Sequence, residues 1–456
     1  MSSTTTHLPL NNLKTSVFLG VLLGFVISPM AHHPAYSQVS PNSVSEPVTI
    51  DDLYAEVGKR VPAFGGLFVD DANDTLYALM VPSLAGDAAS LDTAITEVLG
   101  TGRPTEHHLK LIPCEYTFRQ LKAWHDHLGP AMQTIHGTVF TDIDDGKNRL
   151  EIGVESLALS PGIEGELSAL DIPRGAVNIV EVPPATTEGP PDETPGPLAD
   201  IGPDGTLRDK FRPVVGGLQI EIAVKGLTPN STCTLGFNAI RAKKPGIVTN
   251  DHCMKEHRQE YLKQNVVYQP TENNDNRIAT GSVDPLFFKP EDNDKCLSTY
   301  SFCRFSDSAF AEADGNAGVS RGFIAKPQSG SQWDGMTKFR IVDLVKPAMD
   351  MAVTRVSSQT GIVQGKISNP CRNVEVTNKG RRTGDWLLCQ VIVTWQTPGV
   401  PGDSGSPAFT TNSENTDVKL LGLVWGPTSV SPIDQIKLTG TELGPDLLVC
   451  AEGFQC

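Results

Sequence analysis

A chain of 456 residues is longer than one ordinary hydrophobic core serves, which predicts two or three folded units joined by linkers. With 42 Gly, 34 Pro and only 6 % aromatic residues, the composition favours many turns and short strands over long helical bundles. A formal net charge of −16 speaks against a nucleic-acid partner, because phosphate backbones are held by concentrated Lys and Arg.

Lys14 precedes the apolar run Val17–Ile27, and the small residues Ala35 and Ser37 follow it. This pattern predicts a secretory signal peptide over residues 1–37, cut near Gln38, with an apolar run too short to span a bilayer permanently. Residues 38–51 read as a polar tether. Residues 52–183 read as a smaller α+β domain whose pattern nearly repeats itself. In the first copy, Gly65–Val69, an Asp/Asn turn at Asp70–Asp74 and Leu76–Val81 form a hairpin. In the second, Gly137–Phe140, Asp142–Asn148 and Arg149–Val154 do the same, and a helix is expected after each. Between them, Phe118, Leu121, Trp124 and Leu128 recur at helical spacing within Tyr116–Met132. His125 and His127 on that helix are two residues apart, share no face, and are expected at the solvated surface. Residues 184–213 are rich in Pro and acid and read as an extended linker. From 214 to 456, short apolar runs alternate with Gly, Asn and Pro turns, with only Ile433–Leu443 weakly helical; this is an all-β pattern.

Eight of the nine cysteines lie between Cys233 and Cys456, and an even set in an exported segment indicates disulfides. Neighbour pairing would join Cys233 to Cys253, Cys296 to Cys303, Cys371 to Cys389 and Cys450 to Cys456, although spacing alone leaves other connectivities open. Zinc is not expected, since there is no CxxC and His252-Cys253 with His257 lacks a second ligand cluster. No metal or cofactor is expected elsewhere.

The strongest chemical signal is Gly402-Asp403-Ser404-Gly405-Ser406-Pro407, between the apolar runs Val391–Trp395 and Leu420–Trp425. Glycines on both sides let the N–H groups of Gly402 and Ser404 converge on one oxyanion. A serine hydroxyl is a poor nucleophile and needs a base. His252 is the candidate: it ends the run Gly246–Cys253, which a bridge to the Cys233–Phe237 run would hold in place.

These residues resemble those of the chymotrypsin-like serine peptidases, particularly the bacterial streptogrisin and α-lytic branch. The family's Thr-Ala-x-His-Cys is similar to Thr249–Cys253, and its Gly-Asp-Ser-Gly-Gly-Pro to residues 402–407. Val214–Gly217 resembles the start of the mature enzyme. Thr354–Gly361 resembles the segment that carries an internal arginine, and Gly422–Gly426 the strand that binds substrate backbone.

The resemblance implies a mainly β chain: a chymotrypsin-like double β-barrel over 214–456, preceded by the smaller α+β domain as a pro-region. It implies a secreted endopeptidase acting on protein or peptide substrates. His252 would be the general base, Ser404 the nucleophile, Gly402 and Ser404 the oxyanion donors, and Val424, Trp425 and Gly426 the backbone-binding strand. Asp307, in Ser306–Phe310, is expected as the third triad member in preference to Asp350, which lies too close to the Arg355 segment of the second barrel. Asp292 and Asp314 are expected to be exposed loop acids. Asp251 departs from the family's small residue before the histidine and would raise the imidazole pKa. Asp403 is expected to be buried against Arg355 and not against a new amine at Val214, since Arg212-Pro213 disfavours cleavage there.

Overall fold

The computed structural model describes residues 49–84, 87–100, 108–186, 205–257, 261–289, 296, 302–315, 318–378, 381–411, 416–439, 442–454 and 456. The expected signal peptide, nearly all of the tether and residues 187–204 of the expected linker lie outside them.

Thr49 starts the first helix, Ile50–Arg60, with a reciprocal cap: its hydroxyl accepts the Asp52 N–H while the Asp52 carboxylate accepts the Thr49 N–H. Strands Phe64–Asp70 and Thr75–Met80 pair antiparallel around a turn in which the Asp70 carboxylate accepts the Asn73 N–H. Helix Ala88–Leu99 then leads to strand His108–Pro113, parallel to Thr75–Met80. The same order recurs: helix Phe118–Thr134, antiparallel strands Thr138–Asp144 and Arg149–Val154, helix Ser160–Ala169, and strand Val177–Glu181 parallel to Arg149–Val154. The near-repeat in the sequence is therefore an α-β-β-α-β unit used twice. One expectation fails here. His125 is buried, its Nε2 lying 3.1 Å from the Thr141 hydroxyl, because its face of the helix packs on the second sheet.

The C-terminal part is two antiparallel β systems. In the first, the strand order is Leu227–Thr234, Gln219–Val224, Val266–Tyr268, Arg277–Val283, Ala309–Ala313, Lys244–Thr249, Phe237–Arg241. Leu235 and Gly236 link the two end strands of that order and close it, donating to the Leu218 and Val248 carbonyls beside them. In the second, Ala352–Ser357, Gly361–Asn378, Arg381–Trp395, Ser429–Pro432, Asp417–Val424 and Pro407–Thr411 form a ring, the last strand pairing with the first. The described residues are thus mainly β, with a double barrel in the C-terminal part. Residues 205–213 pack on these barrels: Leu207 is fully buried and Phe211 meets Trp333 edge to face.

Residues Pro47–Cys456 form one compact unit. The strand Thr138–Asp144 adds to the long hairpin of the second barrel through Phe140 opposite Val374 and Thr141 opposite Asn373. Arg372 crosses this junction, its guanidinium 3.5 Å from the Phe140 ring centre and its Nε 2.6 Å from Asp142. A single apolar core runs from Tyr54, Leu121 and Ile152 into Val353, Val391 and Trp395.

Burial raises Asp142 to about 7 despite Arg372, and burial raises Asp51 to about 8. Carboxyls with raised folded-state values favour the fold below their unfolded values near 4, and that contribution is lost as pH climbs through the folded values. The N-terminal units should therefore be better protected from hydrogen exchange at pH 5 than at pH 8. Equal protection at both would contradict this reading.

Candidate active site

Strands Lys244–Thr249 and Ala309–Ala313 pair with Thr249 opposite Ala309, so the turn after one and the approach to the other meet at the same barrel end. The first carries His252 in the turn Asp251–Cys253, and the second is preceded by Asp307. His252 Nδ1 lies 2.5 Å from Asp307 Oδ2, and the His252 backbone N–H donates to the other carboxylate oxygen at 3.1 Å. Asn250 anchors the same loop by donating to the Asp307 carbonyl at 2.7 Å, and the Asp307 N–H donates to Ser431 Oγ at 2.9 Å.

Ser404 reaches this pair from the second barrel. Its Oγ is 2.8 Å from His252 Nε2, and its carbonyl accepts the Thr234 N–H at 2.7 Å. Gly405 makes the approach possible: it has φ 88°, and a Cβ there would stand 2.2 Å from the Thr234 carbonyl oxygen. Gly402, at φ 96°, lies against Gln359 in the same way. Together Ser404, His252 and Asp307 form a continuous polar line across the junction of the barrels. These distances suit proton transfer from the hydroxyl to the imidazole, with a carboxylate fixing the other ring nitrogen.

Asp403 and Arg355 are both fully buried, with Oδ2 and Nη2 3.6 Å apart. Asp403 also accepts the N–H groups of Gln359, Thr360 and Val400 and the Thr360 hydroxyl. Burial raises its carboxyl while Arg355 and the Thr360 and Val400 donors lower it, leaving a net rise. Val214 is buried in a strand and donates its N–H to the Gly318 carbonyl. Val424 donates to the Ser406 carbonyl, and Trp425 is fully buried with its indole N–H on Gln390. Gly426 faces the Thr186 carbonyl, to which an added Cβ would stand 3.1 Å away.

Asp350 stands apart on a loop, 3.1 Å from Lys366, and Asp314 pairs with Arg277 at 2.6 Å. Asp292 lies outside the described residues. Each of the four neighbouring cysteine pairs is bonded, and Cys114 is free. The Asp251 carboxylate pairs with Arg304 and His257, at 2.8 and 2.9 Å. Arg304, Asp284 and Glu442 belong to this surround and have no local spacing that marks them in the sequence.

Two antiparallel barrels with serine, histidine and aspartate lined up across their junction define the chymotrypsin-like class of fold. Among solved structures, the chain is similar to Thermobifida fusca protease A (15 % identity, 48 % of this chain and 91 % of that one, TM-score 0.30). It is likewise similar to Nocardiopsis protease (18 %, 48 % and 92 %, 0.31) and Cellulomonas bogoriensis chymotrypsin (17 %, 49 % and 93 %, 0.30). No family model matches the chain, and no curated protein matches it by sequence. At such identities and TM-scores, the functional reading rests on the geometry of the site itself.

Proposed function

We propose that this protein is a secreted serine endopeptidase that cleaves peptide bonds through an acyl-enzyme. The observation that carries the reading is the line from Ser404 Oγ through His252 to Asp307, at 2.8 and 2.5 Å. His252 takes the Ser404 proton as the hydroxyl attacks the carbonyl, then returns it to the leaving amine. Asp307 holds the imidazole tautomer and stabilises the cation, and the N–H groups of Gly402 and Ser404 meet the oxyanion. Val424–Gly426 binds the substrate backbone. The bonded cysteine pairs suit an oxidising compartment, and among the described residues no helix is long and apolar enough to cross a membrane.

Cleavage-site profiling on a peptide library tests this directly. Peptide cuts by the wild type and none by Ser404→Ala are expected; turnover of esters without peptides would indicate an esterase instead. Asp307→Asn should fold normally and lose roughly 10⁴-fold in kcat through the wrong imidazole tautomer. If Asp350→Asn were the crippling change, the assignment of Asp307 would be wrong.

Residues 52–183 act in this reading as a pro-region. Support comes from the strand Ala185–Thr186 just beyond them, which runs parallel to Val376–Thr377 beside Gly426 and so crowds the substrate strand. Adding residues 38–205 in trans to residues 206–456 should raise the yield of folded peptidase domain and slow its peptide hydrolysis. Equal yield and equal rate would refute the role.

A further inference from the structure

Behind the His252–Asp307 pair lies a web of buried charge centred on Arg304, which is 1 % exposed. Its Nη1 is 2.8 Å from Asp251 Oδ2 and 3.3 Å from Asp284 Oδ1, and its Nη2 donates to the Ser308 carbonyl. Its Nε is 3.8 Å from Glu442, whose carboxylate accepts the N–H groups of Phe305 and Ser306. His257 Nδ1 closes the web, 2.9 Å from Asp251 and 3.0 Å from Asp284. One guanidinium thereby joins the residue just before His252 to the residue just after Asp307.

Asp251, His257 and Asp284 bring two carboxylate oxygens and an imidazole nitrogen within 4.8 Å of one another. Arg304 pairs with both carboxylates from inside and His257 bridges them from outside, so the web supplies positive charge of its own. It also forms the floor of a cavity of about 380 Å³ that His252 and Asp307 share, with Leu286, Phe287 and Asp385 on the walls.

We infer that Arg304 is a positioning residue for catalysis: through Asp251 and Ser308 it fixes the spacing of His252 and Asp307, and its charge offsets the carboxylates gathered around the imidazole. This rests on the peptidase reading. The charges that face His252 are Asp307 ahead of its paired strand, Asp251 on its own turn, Asp284 and His257 beside it, Arg304 and Glu442 behind, and Asp385 on the long hairpin. Against burial, Arg304 and His257 hold Asp251 low. Burial and Asp251 raise Asp284 to about 7, while hydrogen bonds to Asp251 and Asp284 raise His257 to about 10. Removing the guanidinium makes the surroundings of His252 more negative and favours the imidazolium; removing the Asp251 carboxylate does the reverse.

The two effects have opposite signs, which a purely structural role would not produce. In the full chain, the pH dependence of kcat/KM and the NMR titration of the His252 ring protons are followed for Arg304→Met, Arg304→Lys and Asp251→Asn. For Arg304→Met, the acid limb and the NMR midpoint should rise by about one unit, with kcat near pH 6 falling roughly tenfold and KM little changed. Asp251→Asn should move both downward, and Arg304→Lys should leave the midpoint near the wild type while lowering kcat. Midpoints unmoved in folded Arg304→Met and Asp251→Asn overturn the inference. If Arg304→Met does not fold, Asp251→Asn decides alone: a downward shift supports the role and none overturns it. The NMR titration reads the imidazole without turnover, so an inactive wild type would contradict the peptidase reading and leave this test able to run.

Discussion

Ser404→Ala is expected to fold like the wild type and to lose on the order of 10⁶ in kcat, and His252→Ala is expected to match it. The Ser404 carbonyl, which fastens the turn to the Thr234 N–H, belongs to the backbone and survives the substitution. Only the hydroxyl 2.8 Å from His252 Nε2 disappears. The two losses should not add in the double variant, because nucleophile and base act as one unit. Thermal unfolding and steady-state kinetics on both single variants and the double variant check this, and unchanged hydrolysis in Ser404→Ala would remove Ser404 from the mechanism.

Arg355→Ala should destabilise the protein by roughly 3–5 kcal/mol, the cost of leaving a buried carboxylate without its cation. Asp403 and Arg355 are fully buried, and the guanidinium also lies 4.8 Å from the Trp395 ring centre, so the substitution opens a cavity beside a charge. Asp403 keeps its donors from Gln359, Thr360 and Val400, which favours local rearrangement of the Gly402–Ser404 turn over global unfolding. Activity should fall more than stability alone explains. Changing the processed N-terminus should matter little, because Val214 is a buried strand residue whose N–H is bound to Gly318. Urea unfolding with parallel kinetics tests the pair. Normal activity in Arg355→Ala, together with a strict need for a free Val214 amine, would reverse the assignment.

The hairpins of the N-terminal units were legible because Asp and Asn mark their turns between apolar runs, as at Asp70–Asp74. Strands His108–Pro113 and Val177–Glu181 were not, since each pairs in parallel with a strand reached only after a helix, and no turn residue announces such a partner. The helix Ile50–Arg60 carried a readable start in Thr49 and Asp52, yet its first residues look like the polar tether before them. His125 was misplaced because helical spacing gives the face but not what covers it. At the site, Ser404 and His252 stand in local motifs fixed by glycine and cysteine neighbours. Asp284, Arg304 and Glu442 do not: they converge from segments far apart in the chain, and Asp251, a carboxylate in place of the family's small residue, pointed to the histidine beside it and not to Arg304.

Treatment of the purified protein with a fluorophosphonate, followed by mass mapping of the adduct, tests the central claim most directly. The triad geometry predicts one adduct on Ser404, formed rapidly in the wild type and lost in His252→Ala. No adduct on Ser404, or equal labelling with and without His252, would contradict it.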